Sequence, residues 1–77
     1  MYKYVVELST PEDDVATMKV SDRLTADRIF ESINLSDNGI PRVSIFAIEG
    51  STWKEIRRKE TEAWAKSVAI AKEEEGE

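Results

Sequence analysis

Residues 42–49, RVSIFAIE, are almost continuously apolar, and this run constrains the fold more than any other. It is short, β-branched and aromatic. Pro41 precedes it and Gly50-Ser51 follows it, so it reads as a strand and not as part of a helix. Apolar residues at successive positions fill both faces of a strand, so this one is expected at the centre of a sheet. The remainder of the chain must then supply its neighbours and a cover.

Two further strands are legible upstream. In residues 2–8, YKYVVEL, Tyr2, Tyr4, Val6 and Leu8 share one face, while Lys3, Val5 and Glu7 share the other. Residues 15–20, VATMKV, alternate in the same way, with Ala16, Met18 and Val20 expected toward the core. The connection STPEDD is short and rich in turn residues, so these two strands form an antiparallel hairpin. Between them and residues 42–49, the stretch LTADRIFESIN predicts a helix over Thr25–Asn34. Thr25 is the expected N-cap, Leu24 and Ile29 are placed for a hydrophobic staple, and Asp27 falls in the first turn. A start at Ser21, with Asp22 following, is the alternative. Ala26, Ile29, Phe30 and Ile33 form the apolar stripe. Gly39 with positive φ and Pro41 are expected to end the helix.

The segment Glu49–Lys66, EGSTWKEIRRKETEAWAK, admits two structures. In one, Gly50-Ser51 closes a hairpin, and the following run is an edge strand guarded by basic residues, with Trp53 on one face and Ile56 on the other. In the other, Thr52 and Glu55 form a capping box and a single helix runs over residues 53–74. The six polar residues 57–62 would interrupt the apolar stripe of such a helix for more than a turn, which favours the hairpin. Residues from Thr61 onward are helical in either case, with Trp64, Val68 and Ala71 on one face. The run EEEGE sets negative charge at a helix C-terminus, and an acidic disordered tail is expected over 73–77.

The fold class expected is therefore α+β: one domain over residues 1–72 in the order β-β-α-β-β-α. Two hairpins make a four-stranded antiparallel sheet, with the first helix on one face. The C-terminal helix covers the other face or an edge, or pairs with a second subunit as a homodimer. The alternative has three strands and one long C-terminal helix.

Composition narrows function mainly by exclusion. The 77 residues include no cysteine and no histidine, so thiol and imidazole nucleophiles, triads and ordinary zinc sites have no ligands or bases to use. Three isolated glycines cannot build a phosphate loop. Glu12, Asp13 and Asp14 read as a solvated turn, and NLSDNG lacks both the acidic first ligand and the terminal glutamate of a calcium loop. No cofactor and no metal is expected, and no carboxylate pair sits in a pattern that suggests a cleft for acid–base work. No enzymatic function is expected. No stretch is apolar enough to span a membrane, no signal peptide is visible at the start, and the absence of thiols suits the cytoplasm.

Charge is unevenly spread. Residues 1–41 carry a net −4, residues 42–72 a net +3, and residues 73–77 a net −4, for a total of −5. Within the positive stretch, Trp53, Lys54, Arg57, Arg58 and Lys59 combine aromatic and basic groups, and Trp64 follows on the next element. These six are the candidate partner-binding residues. Trp and Arg predominate at protein-binding hot spots. The same set suits a phosphate backbone and stacked bases, but the acidic remainder of the chain opposes nucleic acid. The function expected is a non-catalytic protein-binding module: a small regulator, adaptor or inhibitor. Its size and character would suit a phage or mobile-element protein. A small nucleic-acid-binding protein and a self-assembling structural protein are the alternatives.

Overall fold

The computed structural model describes residues 1–12 and 14–75, with side chains described as far as Val68. Six elements follow in the order β1 (Tyr4–Ser9), β2 (Val15–Val20), α1 (Arg23–Ser32), β3 (Arg42–Glu49), β4 (Thr52–Glu60) and α2 (Glu62–Glu75). The four strands form one antiparallel sheet in the order β2-β1-β3-β4. This is the α+β arrangement expected from the sequence, and the segment after Gly50 is a strand and then a helix, not one long helix. The two hairpins join through β1 and β3, whose register sets Val6 opposite Ile45 and Leu8 opposite Val43.

β3 is central, and its first half is buried on both faces. The core lies between the sheet and α1: Val6, Val43 and Ile45 meet Ala26 and Phe30, with Tyr4, Leu8, Ile29, Ile33 and Ile56 packed around them. Burying a residue of this size removes apolar surface from water at about 25 cal/mol per Å². In a domain this small, few such residues carry most of the favourable energy.

The start of α1 differs from the expectation. Asp22, not Thr25 or Ser21, is the N-cap, and the helix starts at Arg23. The Asp22 carboxylate accepts from the Thr25 N–H at 2.8 Å and from the Thr25 hydroxyl at 2.9 Å. A charged acceptor at the positive end of the helix outcompetes a neutral hydroxyl. The staple does not form, because Leu24 lies inside the first turn and is exposed. Asp27 then falls in the second turn.

The helix also ends earlier than Asn34. Ile33 leaves it with extended backbone, which lets Ile33 and Leu35 reach the core. Gly39 does not have positive φ; it sits in a later turn and donates to the Ser36 carbonyl at 3.2 Å. Gly50 has φ 61°, as the two-residue link between paired Glu49 and Thr52 requires.

β2 departs in one respect. Its residues pair with β1 as the alternation implies, Met18 opposite Val6 and Ala16 opposite Leu8, but only Val20 joins the core. Ala16 and Met18 are exposed, since β2 is an edge strand. The other edge, β4, carries a bulge: Ile45 faces Arg57 and Phe46 faces Glu55, leaving Ile56 as the extra residue.

Thr61 begins α2. Its hydroxyl accepts from the Trp64 N–H at 3.2 Å, and its own N–H donates to the Pro41 carbonyl at 2.8 Å. Among the described residues α1 is the helix that packs on the sheet. The molecule measures 40 × 28 × 17 Å, and the thinnest dimension is that of two layers. The backbone of α2 extends to Glu75, into the acidic tail expected at 73–77; residues 76–77 and the Ala71 side chain lie outside those described.

Candidate functional site

Alternation divides the basic segment of β4 between the two faces of the sheet. The faces are here called the helix face, under α1, and the open face.

Arg57 and Lys59 lie on the helix face. The Arg57 guanidinium carbon sits 4.2 Å above the Phe30 ring centre, and the Lys59 ammonium sits 4.8 Å from it. Arg57 also donates to Asp27 at 3.0 Å and lies 3.6 Å from Glu31. Its hydrogen bond holds the Asp27 carboxyl below the usual range, helped by Arg23 at 3.2 Å. Lys59 donates to the Ile33 carbonyl at 2.7 Å, capping the end of α1. These two cations close the core over Phe30. Lys54 points to the same face by register with Ala47 and is exposed.

Trp53, Glu55, Arg58 and Glu60 belong to the open face. Arg58 is held by Glu60 at 2.6 Å and lies 3.9 Å from Glu55. Trp53 is 46% exposed, and its ring lies 6.0 Å from that of Phe46 at an interplanar angle of 45°. The tilted geometry is one that aromatic pairs favour. Trp64 stands apart at the start of α2. It lines a depression of about 150 Å³ with Pro11, Pro41 and Thr61, and its indole N–H is buried without an acceptor among the described residues. The six candidate residues therefore occupy three places and do not form one patch.

The register assembles a different surface on the open face. Val5 pairs with Phe46 on one side and Lys19 on the other, while Ile48 pairs with Trp53. The Ile48 N–H donates to the Lys3 carbonyl at 2.8 Å, which places Lys3 in the same row. Val5 is fully buried, so the apolar surface that solvent meets is formed by Phe46, Ile48 and Trp53, with Lys3 and Lys19 on the neighbouring strands. Among the described residues neither lysine has an ion-pair partner, and no helix packs across this surface.

Toward the other end of this face the chemistry changes. Arg42 is 8% exposed and donates to Ser9 at 2.7 and 3.0 Å, Ser44 at 2.6 Å and Glu7 at 2.6 Å. This guanidinium uses four of its five N–H donors within the sheet and fixes β1 against β3, which marks it as a structural group. Among the described residues no cluster of acidic, thiol or imidazole groups could hold a metal ion. A second, open depression of about 670 Å³ is lined by Tyr2, Lys3, Tyr4, Ala47 and Ile48, which come from both faces of the sheet.

Phe46, Lys3 and Lys19 were not singled out from sequence. The alternation in residues 2–8 already separated Lys3, Val5 and Glu7 from the core face. Their meeting with Phe46 and Trp53 depends on strand register, which local pattern does not specify. No protein-family model, no curated protein and no solved structure matches this chain.

Proposed function

We propose that this protein is a non-catalytic protein-binding module whose contact surface is the open face of the sheet around Trp53 and Phe46. The observation that carries the proposal is the half-exposed Trp53 ring tilted against Phe46 on a face that α1 leaves bare. An antiparallel sheet commonly has one solvated face, but that face is normally polar. Here its centre is apolar and aromatic, and residues of this kind anchor interfaces. On the same face Lys3, in the row of Ile48 and Trp53, and Lys19, on the opposite edge strand, add positive charge, while Glu55 opposite Phe46 adds a negative one. The complementary partner is a protein surface with an apolar protrusion flanked by carboxylates. The role consistent with a surface of this size is that of a small regulator, adaptor or inhibitor. No helix among the described residues is long and apolar enough to cross a membrane.

The test is a pull-down from the native host with immobilised wild-type chain and a Trp53→Ser variant whose fold is checked by circular dichroism. The expected result is a stoichiometric protein captured by the wild type, lost with Trp53→Ser and weakened by Lys3→Glu. Equal capture by wild type and Trp53→Ser, or no stoichiometric partner, overturns the proposal.

A further inference from the structure

The two edges of the sheet are built differently. β4 carries a bulge and a charge at most positions from Lys54 to Glu60, the usual protection against pairing with another strand. β2 carries one charge, Lys19, in a regular, apolar, β-branched strand. Five of its six residues are exposed, Val15 at 54% and Met18 at 38%.

The backbone bonding also shows which groups of β2 are free. Thr10 donates to the Asp14 carbonyl at 2.9 Å, so positions 14, 16, 18 and 20 point their N–H and C=O groups at β1. Val15, Thr17 and Lys19 point theirs outward, where among the described residues no fifth strand receives them.

We propose that β2 is the pairing edge of a two-fold dimer of this chain, with Thr17 on the axis. A second copy is the occupant because the strand complements itself in that register. Antiparallel pairing centred on Thr17 sets Val15 opposite Lys19 of the partner subunit and Ala16 opposite Met18 of the partner subunit. No like charges meet, and a small residue faces a large one. Lys19 comes beside the acidic turn that contains Asp14 of the partner subunit, an attraction in a chain whose net charge of −5 otherwise repels a copy of itself. Val15, Thr17 and Lys19 each donate and accept one backbone hydrogen bond across the axis. The two sheets become one eight-stranded sheet, with the exposed Ala16 and Met18 of each copy buried between the two α1 helices. The two open faces then lie side by side, so a dimer would present the Trp53–Phe46 surface twice.

Thr17→Pro tests this directly. Thr17 turns its N–H away from β1, so proline removes an outward donor and leaves the β1 ladder intact. Sedimentation of the wild type from micromolar to millimolar concentration is expected to reach twice the 8.8 kDa chain mass, and Thr17→Pro to stay at the monomer mass with an unchanged far-ultraviolet spectrum. Register is read independently by single cysteines in this cysteine-free chain. Thr17→Cys should oxidise to a disulfide-linked dimer. Lys19→Cys should not, because the two copies of that position lie too far apart for a disulfide. A wild type that stays monomeric throughout, a dimer that survives Thr17→Pro, or equal cross-linking of the two cysteine variants overturns the proposal. If Thr17→Pro fails to fold, the cysteine pair decides alone.

Discussion

The Arg57 guanidinium stacks 4.2 Å above the ring of Phe30, and this contact joins the edge strand β4 to the only helix that packs on the sheet among the described residues. Phe30 is 4% exposed, so the cation covers a core side chain and does not face a ligand. Arg57→Ala should destabilise the fold by about 1–2 kcal/mol, from lost cation–π attraction and lost packing of the side-chain stem. Arg57→Lys should recover only part of this, since an ammonium cannot stack as a plane. Urea unfolding measures both, and a double-mutant cycle with Phe30→Leu isolates the pair. Additivity in that cycle would contradict the coupling.

Arg42 is a stronger dependency. It serves Glu7, Ser9 and Ser44 together from a nearly buried position. Arg42→Met should cost about 2–4 kcal/mol, near the lower part of the range for breaking a buried pair because Glu7 keeps some contact with water. The double variant Arg42→Met with Glu7→Gln should be more stable than Arg42→Met alone, as no uncompensated carboxylate remains. A single variant within about 0.5 kcal/mol of wild type would show that the network contributes little.

The glycines separate turn geometry from steric room. Gly50 has φ 61° with open space where a Cβ would go. Gly50→Ala should therefore cost about 1 kcal/mol through backbone strain alone. At Gly39 an added Cβ would meet nothing closer than Ser36 Cβ at 3.5 Å, and φ is not positive. Gly39→Ala should change stability by less than about 0.5 kcal/mol. Thermal melts of the two variants check this, and equal shifts would sink it.

Acid should weaken the start of α1 and its tie to β4. The Thr25 backbone and hydroxyl bonds lower the Asp22 pKa from its ordinary 3.8, and the Arg57 bond lowers that of Asp27 from the same value. Groups depressed in the folded state bind protons more readily when unfolded. Their stabilisation is complete above pH 3.8 and is lost as pH falls below that value through the folded pKa values. Urea midpoints measured from pH 6 down to pH 2 should drop across that window, and the drop should be smaller in Asp22→Asn and Asp27→Asn. An unchanged pH profile in both variants would contradict this.

Much of the fold was legible because its signals are local. The apolar run 42–49, the alternation in 2–8 and 15–20, and the glycine at position 50 each act within a few residues. The interruption of any helical stripe by residues 57–62 was enough to favour β4 over a long helix. The cap of α1 was misplaced because Ser21, Asp22 and Thr25 all suit that role. The choice among them rests on which oxygen reaches the free N–H groups, and Asp22 reaches Thr25 in two ways.

The candidate site was far less legible. Trp53, Lys54, Arg57, Arg58 and Lys59 are adjacent in sequence, yet a strand sends successive side chains to opposite faces. The bulge at Ile56 then determines which residues share a face with Phe30. Helix α1 takes Arg57 and Lys59 into its packing, which leaves Trp53 to combine with Phe46, Ile48 and Lys3 from other strands.

The sequence by itself determined the elements and their order, since apolar period, turn residues and strand length act over a few positions and need no partner. Only the tertiary structure decided which face α1 covers, which cations it consumes, and which edge remains unguarded. Those outcomes depend on register and long-range packing, where residues distant along the chain compete for the same buried surface, and no local pattern records the winner.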